Sequence, residues 1–172
     1  DATIQGGEVE LFLSPSRHWD ISLGASFLAS KIDEVWLAGV QVPPGGLPII
    51  HWPESFIYDA TMPNAPDYSV NYLVRYNWDM LAGTMAVQVD GVYYADQYLE
   101  ATNGAGSFQR AYGIGNAHLS YTDSRDHFRI DAWVKNLANR AYKTYTLDMG
   151  ILGASAVYGP PCTYGANISY HF

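Results

Sequence analysis

The last nine residues, Tyr164-Gly165-Ala166-Asn167-Ile168-Ser169-Tyr170-His171-Phe172, alternate without a break. In an extended strand Tyr164, Ala166, Ile168, Tyr170 and Phe172 share one face, with Gly165, Asn167, Ser169 and His171 on the other. An aromatic stands at each end of the apolar row. Its length matches the about 9–11 residues that a tilted strand needs to cross a bilayer. A soluble sandwich also has strands with one apolar face, so this strand alone does not separate the two. A membrane barrel requires more: other segments must share the period, and connections must alternate between short turns and longer loops.

The rest of the chain meets both conditions. Val9, Leu11 and Leu13 share a face within 8–13, and a compact turn follows at Pro15-Ser16-Arg17-His18. Trp19, Ile21, Leu23, Ala25, Phe27 and Ala29 alternate with Asp20, Ser22, Gly24, Ser26, Leu28 and Ser30, which predicts a strand over 19–30. From about 34 to 66 the alternation collapses. Six prolines (43, 44, 48, 53, 63 and 66) and Gly45-Gly46 predict a long loop with no regular strand. Tyr68, Val70, Tyr72, Val74, Tyr76 and Trp78 then oppose Ser69, Asn71, Leu73, Arg75 and Asn77. After a tight turn at Leu81-Ala82-Gly83, Met85, Val87, Val89, Gly91 and Tyr93 form the next row. Asn103-Gly104-Ala105-Gly106 marks a medium loop. Strands are expected again around 116–121 and 128–134, joined by Asp123-Ser124-Arg125-Asp126, and a loop over about 147–158 leads into the terminal strand.

These are seven strands with connections running short, long, short, medium, short, medium. With the C-terminus periplasmic, every short turn falls on the periplasmic side and every longer loop outside. Bacterial single-chain barrels have an even strand number. An odd set predicts an all-β, antiparallel up-and-down transmembrane segment of a larger barrel, incomplete alone because it leaves two open edges. The start on Asp1, without Met or leader, reads as a processed chain or a fragment.

Composition excludes several functions. The net charge of −8 opposes nucleic-acid binding. Cys162 is the single cysteine, and His18, His51, His118, His127 and His171 are scattered without ligand spacing, so neither a metal nor another cofactor is expected. Gly113-Ile114-Gly115 lies in a strand pattern rather than at a helix start. Asn116, His118 and Ser120 are residue types that serve in hydrolysis, but at i, i+2, i+4 on one strand each pair is about 6–7 Å apart, too far for a relay of hydrogen bonds. No enzyme activity is expected. Arg75, Asp90, His118, Arg129, Asp131 and Lys135 lie on the faces assigned to the lumen. Hydrogen-bonded networks with neighbouring strands or a lumen-filling domain are their expected role. Counting back from the 81–82 turn sets Arg75 beside Gln88, with Asp90 diagonal to it. Ligand contact is expected in the long loop, at Trp36, His51, Trp52, Phe56 and Tyr58, where self-packing of the aromatics is the competing reading.

Val134-Lys135-Asn136-Leu137-Ala138-Asn139-Arg140-Ala141-Tyr142, Gly159-Pro160-Pro161-Cys162-Thr163-Tyr164-Gly165 and the final Tyr170-His171-Phe172 together resemble the end of TonB-dependent outer-membrane receptors. Asn136, Leu137, Tyr142, Gly159, Pro161, Tyr164 and Gly165 carry the likeness, and Gly6-Gly7-Glu8 resembles the family's G-x-E strand opening. Cys162 stands where that family usually has Arg. The resemblance implies residues 1–172 as the C-terminal portion of a barrel of about 22 strands, with 34–66 extracellular and the plug that fills the lumen outside this sequence. It implies energy-coupled uptake of a scarce ligand (a siderophore, cobalamin or a glycan) in the bacterial outer membrane. The implied partners are membrane lipid, the plug, the inner-membrane energy-transducing TonB protein and the barrel assembly machinery. Tyr164, Ile168, Tyr170 and Phe172 would be the signal that this machinery reads. The alternatives are a non-energised porin or surface barrel, and a secreted β-sandwich.

Overall fold

The computed structural model describes residues 1–37, 55–148 and 153–172, and their side chains except at 34–37, 55–58 and 148. The chain builds one antiparallel wall from β1 (Ala2–Leu13), β2 (Trp19–Leu37), β4 (Tyr68–Met80), β5 (Gly83–Tyr94), β8 (Tyr112–Asp123), β9 (Phe128–Lys135) and β12 (Thr163–Tyr170). These seven strands pair in chain order, up and down, as the alternation predicts. β3 (Ser55–Ala60) pairs with the far end of β2. Two small ladders stand apart at the loop end: β6 (Gln97–Tyr98) with β7 (Phe108–Gln109), and β10 (Lys143–Asp148) with β11 (Ala154–Tyr158).

Two sequence expectations are corrected here. The 34–66 loop was expected to hold no regular strand, yet β2 runs on to Leu37 and β3 returns beside it in the register Leu37↔Ser55 to Ile32↔Ala60. Neither 31–37 nor 54–60 contains proline, and a two-stranded extension clear of the hydrocarbon needs no apolar face, so the loss of period carried no veto. Lys31 ties the extension together, 2.8 Å from Asp59 and 3.3 Å from Asp33. The expected loop over 147–158 likewise contains most of the β10–β11 hairpin.

The outward rows are exposed and apolar: Val9, Leu11 and Leu13 on β1, Leu23 and Phe27 on β2, Val70 and Tyr72 on β4, Val87 and Val89 on β5, Ile168 and Tyr170 on β12. Aromatic belts bound them. At the short-turn end Trp19 packs on Tyr76 at 4.7 Å, Tyr76 on Trp78 at 5.7 Å, and Tyr170 on Phe172 at 5.1 Å. At the loop end Tyr68 stacks with Tyr93 at 6.0 Å, and Phe27 pairs in register with Tyr68. Trp19 and Phe27 are eight residues apart, as are Tyr68 and Tyr76. At about 3.3 Å per residue and a tilt of about 40° that separation spans about 20 Å, close to the apolar band of a membrane barrel. Midway, the Tyr72 ring covers Gly91 and Gly115 on the next two strands, and a side chain at Gly91 would collide with it.

Burial is concentrated elsewhere. Among the described residues the buried side chains are Ala60, Ala95, Leu99, Ser107, Gln109, Tyr112, Asn136 and Thr146, all at the loop end, and Ala86 in the wall. The wall is one layer with no apolar partner among the described residues, whereas the loops pack against one another.

Candidate functional site: the polar face and its loop cap

The inward residues form rows across the strands. Arg75, Gln88, His118, Trp133 and Gly165 follow one another in register, so the pairing of Arg75 with Gln88 expected from the turn is what the structure has. Leu73, Asp90 and Asn116 form the next row toward the loops. Asp90 Oδ1 accepts from Gln88 Nε2 at 2.9 Å, and its Oδ2 from Asn116 Nδ2 at 2.8 Å, with His118 Nε2 3.5 Å from Oδ1. Arg75 turns away from Asp90 and donates through Nε to Asn77 Oδ1 at 2.9 Å. Arg129 grips Asp131 with two parallel bonds of 2.8 and 2.9 Å, the fork geometry that carboxylates favour. Lys135 lies over the Trp133 ring at 5.4 Å. The polar face is therefore largely satisfied within itself. Beside Asp90 it has a shallow hollow of about 440 Å³, lined by Ser22, Asn71, Leu73, Gln88 and Asn116 among others. Asn116 is held by Asp90, and no hydrogen bond joins it to His118 or His118 to Ser120 among the described residues, so no hydrolytic relay is assembled.

The residues that carry the family resemblance converge on one joint. Asn136, 4% exposed and with φ 51, is where β9 leaves the wall. Its Nδ2 donates to the carbonyls of Arg140 and Pro160, both at 3.0 Å, and its Oδ1 accepts from Arg140 N at 2.8 Å. Leu137 N then donates to Gly115 O at 2.9 Å. Tyr142 stacks on Tyr112 at 4.9 Å and lies directly over Gly159, where a Cβ would collide with the ring. Gly165 stands in the same relation to Trp133. Pro161 lies between Pro160, whose carbonyl Asn136 holds, and Cys162, whose N–H donates to Asn139 Oδ1 at 2.9 Å. Tyr164, Ile168, Tyr170 and Phe172 are all exposed on the apolar side.

Sequence reasoning missed the clasp that joins the loops. Lys143 Nζ donates to the carbonyls of Gly106 and Phe108 at 2.9 and 3.0 Å, and Lys143 N to the buried Gln109 Oε1 at 2.7 Å. Asn103 Oδ1 accepts from Thr61 N at 2.7 Å, and its Nδ2 donates to the carbonyls of Thr61 and Glu100 at 3.0 and 3.1 Å. The Asn103-Gly104 pair is the available signal, and in the sequence it marks only a medium loop. Of the expected loop contacts, Trp36 and Phe56 are paired across β2 and β3, and Tyr58 opposite Glu34. His51 and Trp52 lie outside the described residues.

No family model and no curated protein matches the sequence. Solved structures do. The ferric yersiniabactin uptake receptor FyuA from Yersinia pestis superposes with a TM-score of 0.76 at 19% identity, over 99% of this chain and 24% of that receptor. The fold is that of an up-and-down antiparallel barrel wall. The siderophore receptor PiuA from Acinetobacter baumannii gives a TM-score of 0.70 at 17% identity, over 98% of this chain and 22% of that one. The chain thus spans about a quarter of the length of each receptor.

Proposed function

We propose that this chain is the C-terminal barrel wall of an energy-coupled outer-membrane receptor that takes up a scarce ligand, with ferric siderophores as the ligand class. The observation that carries the reading is the superposition on a siderophore receptor over nearly the whole chain. The apolar-out, polar-in wall and its bounding aromatic belts support it. On this reading a plug domain fills the lumen and contacts the Asp90 and Asp131 networks. An inner-membrane TonB protein supplies the energy through a segment outside this sequence. The barrel assembly machinery inserts the protein by way of the terminal strand. The wall is a scaffold for binding and transport, and it performs no bond chemistry.

The test is uptake of isotopically labelled ferric siderophores by cells with and without the full-length gene. Uptake that needs both the gene and the proton-motive force is the expected result. Gene-dependent uptake that survives collapse of the proton gradient would instead identify a non-energised pore. Gene-dependent uptake of cobalamin or a glycan, with none of any ferric siderophore, would keep the receptor and replace its ligand class.

A further inference from the structure

The hydrogen bonds around Asn116 lead from the lumen-facing row to the point where β9 leaves the wall. Asn116 Nδ2 donates to Asp90 Oδ2 at 2.8 Å, and Asn116 Oδ1 accepts from the backbone N–H of Asn136 at 3.1 Å. A carboxamide has one donating and one accepting end, so a carboxylate on one side fixes which end faces the other. Asn136 passes the contact on to Arg140 and Pro160, which lie at the two ends of the β10–β11 excursion.

We propose that Asp90 and Asn116 form a positioning pair that fixes where β9 departs from the wall, so that loss of the Asp90 acceptor loosens the base of the loop, residues 136–142 and 159–162. The carboxamide is the two-state element: held by Asp90 it presents oxygen to Asn136, and released it is free to turn. Asp90 also lines the 440 Å³ hollow of the polar face. A hydrogen-bonding group that enters the hollow and takes Oδ2 from Asn116 therefore acts on the outer loop. The inference rests on bonds within this chain and does not require any particular transported ligand.

Cys162, half-buried in that loop and bonded to Asn139 through its N–H, reports on it. The experiment is the rate of maleimide labelling of Cys162 in the full-length protein in detergent, located by peptide mass spectrometry. Heat-modifiable electrophoretic mobility checks that each variant is folded. Asp90→Leu and Asn116→Leu should each raise the rate about fivefold, the size that one net hydrogen bond supports. The double variant should be no faster than the faster single, because both substitutions break one connection. Asp131→Asn, which weakens the neighbouring Arg129 pair, should leave the rate unchanged. If Asp90→Leu does not fold, Asp90→Asn should give a smaller rise that likewise disappears in the Asn116→Leu background. Unchanged rates in the single variants, rates that multiply in the double, or an equal rise in Asp131→Asn would overturn the proposal.

Discussion

A single asparagine ties together the two ends of the β10–β11 excursion. Asn136 takes a left-handed backbone conformation that asparagine tolerates better than most residues, and it satisfies three backbone groups at once. Asn136→Ala should cost about 3 kcal/mol, from the three backbone bonds to Arg140 and Pro160 that are lost and from strain at φ 51. Chemical denaturation in bilayers and faster protease cleavage within 137–162 would show it. Gly159 depends on Tyr142 in a different way. Gly159→Ala drives a methyl group into the ring and should cost about 2 kcal/mol, much of it recovered in a Tyr142→Leu background. Equal costs in the two backgrounds would mean that the ring is not the obstacle. The motif that holds Asn136, Tyr142 and Gly159 was visible in the sequence, but its work was not. Residues about 20 positions apart meet only because the β10–β11 excursion returns to its own base.

Each wall strand carries an apolar and a polar face in its alternation, which is why the seven were legible. A one-residue slip would turn every outward side chain inward. Val89 lies midway between the belts on β5 and faces outward, while its neighbour Gln88 faces the polar side. Val89→Arg should destabilise the folded barrel by about 2–4 kcal/mol, the penalty for a cation at the bilayer midplane. Gln88→Arg should change stability little. Similar costs at both positions, in denaturant titrations of the barrel in lipid bilayers, would contradict the assignment of faces. The β2–β3 extension escaped detection because nothing outside the hydrocarbon enforces a period of two. The loop clasp escaped for a related reason: apart from the Thr61 hydroxyl on Asn103, the bonds that Gln109, Lys143 and Asn103 make in it go to backbone groups, and such bonds leave no pattern in side-chain polarity.

At the scale of the molecule, β1 and β12 each pair along one edge only among the described residues. Lipid does not solvate unpaired peptide groups, so the 172-residue chain expressed by itself should fail to form a heat-modifiable, membrane-inserted species. Recovery of such a species would show that the open edges close by some other pairing. In the complete protein, removal of Phe172 should sharply lower the amount at the cell surface. An unchanged amount would exclude the last aromatic from recognition during assembly.

The placing of nearly all buried residues at the outer mouth has a mechanical consequence. On the proposed outer-membrane reading the staves borrow their cohesion from the bilayer, while the rim carries its own. When amphiphile is withdrawn from the purified protein, hydrogen exchange should therefore accelerate first along β4 and β5, with the segment around Ser107 and Gln109 the last to yield.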